Sequence, residues 1–168
     1  MKVVETDRLL LRWMEKTDAP FILELLNDPS WLKFLGDREI RTIEQSEGYI
    51  SSILAMYEKL GFGLYLVELK EDKIPIGICG LLKRESLEYA DIGFAYTTQF
   101  HRKGYGFEAA LATLDYAKNV LRLKKVVAIT SEKNHNSAKL LEKIGMAYSR
   151  RVLLPHDKEE LKLFSINF

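Results

Sequence analysis

The chain has 168 residues, a net charge of +1, 47% hydrophobic and 29% charged residues. That is the size and make-up of a single globular domain over residues 1–168, and its balanced charge offers no bulk attraction to nucleic acid or to a membrane surface. One cysteine, Cys79, excludes an intrachain disulfide framework and fits a reducing, cytoplasmic setting, and the histidines at 101, 135 and 156 lack metal-ligand spacing, so no metal is expected.

In chain order, residues 3–13 read as a strand. Thr17 or Asp18 can cap a helix with Pro20 in its first turn and Phe21, Ile22, Leu25 and Leu26 as its apolar stripe. Pro29 ends that run and starts a short helix to residue 35, with Asp28 as cap and Trp31 and Phe34 as core or lid residues. Thr42-Ile43-Glu44-Gln45 is a capping box, and the stripe Ile43, Ile50, Ile53, Leu54, Tyr57, Leu60 carries a helix to Gly61. The period then changes to two. Residues 63–70, 74–84 and 88–97 read as three strands, antiparallel because short turns join them. Cys79 lies in the apolar run Ile76-Gly77-Ile78-Cys79-Gly80 and reads as a buried small residue, not a nucleophile.

The third strand runs into His101-Arg102-Lys103-Gly104-Tyr105-Gly106-Phe107-Glu108, which opens a helix lasting to about residue 122. Two cations and two glycines at a strand-to-helix junction can present backbone N–H groups and the positive helix end to one anion, for which a pyrophosphate is the natural guest. Gly104 and Gly106 carry no Cβ, so a ligand can approach the backbone closely. A helix terminus alone supplies only about 0.3–2 kcal/mol, so Arg102 and Lys103 are expected to contribute. The octapeptide is equally readable as a solvated turn, and it matches neither Walker A nor the dinucleotide fingerprint.

Residues 125–130 form a buried-strand pattern. Strand, helix and strand in this order make a crossover, so this strand should run parallel to the third. Asn134 to Gly145 reads as a short capped helix, and residues 146–154 and 160–168 as a final hairpin around Pro155-His156-Asp157. The expected fold is mixed α/β (α+β), one mostly antiparallel sheet of about seven strands flanked by about four helices.

Three stretches together carry a family resemblance: Glu5-Thr6-Asp7-Arg8-Leu9-Leu10-Leu11-Arg12, Lys103-Gly104-Tyr105-Gly106-Phe107-Glu108-Ala109, and Asn134-x-x-Ser137-x-x-Leu140-x-x-x-x-Gly145-Met146. Ile74-Pro75-Ile76-Gly77 and Asp91-Ile92-Gly93-Phe94 fit between them as sheet motifs. In this order they resemble the GNAT (GCN5-related N-acetyltransferase) superfamily, and within it the ribosomal-protein N-acetyltransferase (RimJ/RimL-like) type, over nearly the whole chain. The one departure is His101, which stands where the loop pattern has Arg or Gln.

The resemblance implies acetyl-CoA as cosubstrate and a central pair of parallel strands splayed around its pantetheine arm. The arm's amides would pair with strand backbone at Phe94, Ala95 and Tyr96, the pyrophosphate would sit on the N–H groups of Arg102, Lys103, Gly104, Tyr105, Gly106 and Phe107, and Asn134 would hydrogen-bond the pantetheine. Asp91 is the implied base, with Glu88 in reserve, and Ser137 the donor to the leaving sulfur or else a helix cap. The implied reaction is direct attack of an amine on the thioester with no acetyl-enzyme. The acceptor is expected to be a protein or peptide N-terminal α-amine; a small-molecule amine and a catalytically silent acyl-CoA-binding module are the alternatives. A monomer or a homodimer is expected, with no nucleic-acid or membrane partner.

Overall fold

In the computed structural model, which describes residues 1–168, the N-terminal stretch is a hairpin, not the single strand expected over 3–13. Strand β1 (Lys2–Glu5) returns antiparallel as β2 (Leu9–Arg12). Thr6 makes the turn: its amide donates to the Leu9 carbonyl at 2.9 Å and its hydroxyl accepts from the Leu9 amide at 3.0 Å. A short polar side chain that bonds local backbone competes with strand pairing, which alternation alone does not reveal.

A 3₁₀ turn (Lys16–Asp18) leads into α1 (Ala19–Leu26). Asp18 precedes the helix as expected, but its carboxylate accepts from the Glu15 amide at 2.7 Å and from two Arg12 nitrogens at 2.9 Å each, not from α1. Helix α2 (Pro29–Phe34) starts on Asp28, whose Oδ1 accepts from the Ser30 amide at 2.9 Å. Trp31 in α2 is buried in the core. Helix α3 (Ile43–Leu60) has the expected capping box of Thr42 with Gln45, and Gly61 ends it at φ 81.

Three antiparallel strands follow as expected: β3 (Leu64–Leu69), β4 (Pro75–Leu82) and β5 (Asp91–Tyr96). Strand β5 begins three residues later than the expected 88–97 run, leaving Glu88 in the preceding connection. Helix α4 (Tyr105–Asn119), β6 (Lys125–Ser131), α5 (His135–Lys143), β7 (Ala147–Val152) and β8 (Leu161–Asn167) complete the chain. The sheet has eight strands in the order β1-β2-β3-β4-β5-β6-β8-β7. The N-terminal hairpin accounts for the eighth strand, and the five helices include the short α2 expected after Asp28. Pairing is antiparallel except between β5 and β6, which run parallel as the crossover requires.

Two glycines let the central strands come close. A Cβ on Gly80 would lie 2.1 Å from the Gly63 carbonyl oxygen, and one on Gly77 2.2 Å from that of Ala95. Both obstacles are backbone, so Gly80→Ala should cost about 1–3 kcal/mol of stability, read as a lower midpoint in urea unfolding with an unchanged slope. Helix α4 covers β4 and β5. Beneath it the Cys79 sulfur lies 3.3 Å from the Thr113 hydroxyl, and burial pushes the thiol up to about 11. Cys79 is thus the inert core residue its surroundings in the sequence imply.

Candidate active site

The sheet opens where its only parallel pair meets. Strand β4 pairs with β5 from Asp91 through Tyr96. Strand β6 shares one register pair with β5, Asp91 with Val127, supported by the Val127 amide donating to the Ala90 carbonyl at 3.0 Å. Beyond that point the two strands part. The result is a wedge, closed at Asp91 and open toward Tyr96, with one edge of β5 left without a strand partner. Gly93, Phe94 and Ala95 on that flank are half-buried, and backbone polar groups so placed need a partner from elsewhere.

The open end of the wedge meets the loop singled out in the sequence. Arg102 has φ 61 and Gly104 φ 82, two left-handed residues with Lys103 between them. Gly104 is the N-cap of α4 and no side chain caps the helix; the first amide bonded within it is that of Glu108, to the Gly104 carbonyl at 3.1 Å. The amides of Tyr105, Gly106 and Phe107 therefore stand free at the positive end of a fifteen-residue helix. Arg102 and Lys103 are exposed beside them. Gly106 has no positive φ; a Cβ there would stand 3.4 Å from the Tyr96 ring and from Leu140. His101 turns away from the loop, its Nε2 lying 2.7 Å from the Tyr96 carbonyl. A carbonyl only accepts, so Nε2 carries the proton.

On the other flank, β6 ends at Ser131 and α5 starts at His135, with the Asn134 amide bonded to the Ser131 carbonyl at 3.0 Å. Asn134 caps α5, its Oδ1 accepting from the Ser137 amide at 3.2 Å. The capping role considered for Ser137 thus belongs to Asn134, and the half-buried Ser137 hydroxyl bonds no other group of the chain. Lys143 lies with its Nζ 5.1 Å from the Phe107 ring.

Asp91 sits at the vertex. Its side chain is 2% exposed, with Arg84 Nε 3.4 Å from it. Burial pushes its pKa up to about 6, against the attraction of Arg84, and its Oδ1 has no hydrogen-bond partner. Glu88 is exposed and outside β5, so no strand alternation relates it to Asp91. Tyr148 is 51% exposed and packs edge-on against Phe164. No group of three or more His, Cys, Asp or Glu side chains is placed to hold a metal ion.

Two tethers were missed by the sequence reading. Asp28 takes the Thr98 amide at 2.9 Å and the Thr98 hydroxyl at 2.7 Å, tying α2 to the segment that enters the loop. Arg8 donates to Glu108 and to the Lys103 carbonyl from a hairpin nearly a hundred residues away in sequence. Glu108 itself was the available signal. A carboxylate in the first turn of a helix expected to hold an anion calls for a counter-cation.

The acetyltransferase (GNAT) domain family matches residues 8–147. The uncharacterized protein YkkB of Bacillus subtilis is 30% identical over 150 residues, covering 88% of this chain and 86% of that protein. Among solved structures, RimL, a ribosomal L7/L12 alpha-N-protein acetyltransferase in complex with coenzyme A, superposes with a TM-score of 0.85 at 14% identity, covering 99% of this chain and 98% of that one. A spermidine N-acetyltransferase from Vibrio cholerae in complex with coenzyme A and spermine gives a TM-score of 0.79 at 18% identity, with 96% of each chain covered. At such identities these two establish the shared fold and nothing finer. The family match over most of the chain, on a sheet splayed at its parallel pair, identifies the protein: it belongs to the GNAT acetyltransferases.

Proposed function

We propose that the protein transfers an acetyl group from acetyl-CoA to the α-amine of a protein or peptide N-terminus. The observation that carries the reading is the junction of two unsatisfied backbone surfaces, the free edge of β5 and the uncapped amides of α4. A pantetheine arm offers amides for the first and a pyrophosphate needs the second. In this reading Phe94, Ala95 and Tyr96 hold the arm, residues 102–107 hold the diphosphate, and Asn134 uses its side-chain amide on the pantetheine. An arm anchored at the loop and laid along β5 brings its thioester toward the vertex, where Asp91 stands.

The amine nitrogen attacks the thioester carbonyl, the C–S bond breaks, the amine proton passes to Asp91 directly or through one water, and the Ser137 hydroxyl donates a hydrogen bond to the departing sulfur. A carboxylate poised at about 6 matches an α-amine of pKa about 7.7–8 far better than a lysine amine of about 10.4. At pH 7 roughly a tenth of the former is neutral, against about 0.04% of the latter. That match favours the α-amine over a lysine or polyamine acceptor. RimL and the spermidine enzyme act on different amines in one fold, so the acceptor is to be decided by turnover.

The test is a panel of N-terminal peptides and small amines with acetyl-CoA, read as free thiol. Turnover confined to peptide α-amines supports the proposal. Turnover confined to small amines replaces the acceptor class, and acetyl-CoA binding without thiol release on any amine makes the protein a silent acyl-CoA-binding module. Ser137→Ala should lower kcat about tenfold with little change in the dissociation constant of acetyl-CoA, since a hydrogen bond to a charged group is worth about 1.5–3 kcal/mol. Unchanged turnover in that variant would remove Ser137 from the mechanism.

A further inference from the structure

The N-terminal hairpin grips the loop in front of α4 and the first turn of that helix mainly through Arg8, with Thr6 beside it. Arg8 Nε donates to Glu108 Oε1 at 2.7 Å, and the Arg8 amide donates to Glu108 Oε2 at 3.0 Å. The Thr6 hydroxyl donates to the same Oε2 at 2.5 Å. From the same guanidinium, Nη1 donates to the Lys103 carbonyl at 3.1 Å. The guanidinium lies over the Tyr105 ring, 4.4 Å from its centroid.

The position of that last hydrogen bond matters most. Lys103 stands between Arg102 and Gly104, the two left-handed residues of the loop. A non-glycine residue such as Arg102 held at positive φ costs on the order of 1 kcal/mol and persists only when its surroundings over-determine it. Arg8 supplies that constraint from outside the loop, fixing the carbonyl between strained Arg102 and left-handed Gly104. The same fork neutralises Glu108, the carboxylate in the first turn of α4. Against the cost of its burial, the Thr6 and Arg8 contacts hold the Glu108 carboxyl below its usual range. Freed from Arg8, that charge would oppose any anion at the helix terminus.

We infer that Arg8 and Glu108 form a clip that holds residues 102–107 in the conformation that receives the diphosphate of the cosubstrate. Both are positioning residues. They set the direction of the free α4 amides and remove a competing negative charge, and neither needs to touch the reacting atoms. The inference rests on the acetyl-CoA reading above, and it deepens that reading by assigning cosubstrate affinity to a hairpin remote in sequence from the loop.

The test compares two acetyl donors, acetyl-CoA and S-acetylpantetheine, the second of which lacks the diphosphate. Arg8→Ala and the more conservative Arg8→Gln should each lower kcat/KM for acetyl-CoA about tenfold or more, through KM, as expected for a lost charge-assisted hydrogen bond and an uncompensated Glu108 carboxylate. Both variants should use S-acetylpantetheine within about twofold of the wild type, because no interaction made by that donor passes through the loop. Arg8→Lys keeps the charge but not the fork, so it should recover only part of the acetyl-CoA loss. Equal losses on the two donors would show a general structural role and overturn the inference, as would full acetyl-CoA activity in Arg8→Ala. Should Arg8→Ala fold poorly in a thermal melt, Arg8→Gln decides alone. A wild-type protein that uses neither donor overturns the acetyl-CoA reading itself and the clip's purpose with it, an outcome distinct from both.

Discussion

Gly104→Glu is expected to lower affinity for acetyl-CoA at least a hundredfold, the largest loss anticipated from any single change in the loop. Two effects act together. Gly104 has φ 82, which a side chain tolerates at a cost of about 1 kcal/mol, and a Cβ there would stand 3.2 Å from the Arg8 guanidinium. The larger effect is the carboxylate itself, placed at the N-cap where the free amides of Tyr105, Gly106 and Phe107 await an anion. It would take those amides as an ordinary acidic cap does and repel a diphosphate besides. Gly104→Ala separates the contributions, since it carries the backbone strain without the charge and should lose only severalfold. Titration calorimetry with acetyl-CoA measures both variants, and circular dichroism shows whether the fold is kept. Near-wild-type affinity in Gly104→Glu would sink the assignment of the loop.

Asp91→Asn should lower kcat about a hundredfold, the low end of what a positioned general base contributes. Its pH profile carries more information than its rate. Under the proposed mechanism two groups must lose protons before attack, Asp91 near 6 and the acceptor α-amine near 7.7–8. The rate should therefore climb through both. In Asp91→Asn the limb near 6 should vanish and the amine's limb remain; a variant that keeps the lower limb refutes the role.

Stability gives a second readout of the same group. The Asp91 pKa is raised on folding from 3.8 to about 6. The folded state therefore binds the proton more tightly, and this contribution, complete below about 4, is lost as pH rises to about 6. Asp91→Asn should flatten the fall in unfolding free energy across that window, and a slope identical to the wild type would show that the carboxyl is not held at a raised pKa.

Elements whose local chemistry acts alone were legible in the sequence. The Thr42–Gln45 capping box, Asp28 before Pro29, Gly61 at a helix end and the parallel β5–α4–β6 crossover all stand as expected, because each is set by residues a few positions apart or by a chirality rule. The N-terminal hairpin was not legible, since a Thr6 side chain makes its turn inside a run that alternates like one strand. Nor was the end of β5. Tyr89 suits a strand by composition, but β5 begins only at Asp91. In the candidate site, the loop before α4 and the Asn134–Ser137 helix stand where motif order puts them. Their tethers were not, because Asp28–Thr98 and Arg8–Glu108 are long-range pairings that no local pattern encodes. The environment of Asp91 was equally invisible, since its burial and its neighbour Arg84 depend on how the connection before β5 folds back.

The single register pair between β5 and β6 has a mechanical consequence. Five strands lie on one side of that junction and three on the other, and across it the backbone is stitched at Asp91 and Val127 alone. The contact of α4 with α5 and the shared hydrophobic core, which takes in Val126, Ala128 and Phe164, carry the rest of the connection. The protein is in effect two sheets sharing a hinge pin. A substrate arm lying in the gap and bonding both flanks would act as the missing row of stitches, so that loading the enzyme would also lock its halves together.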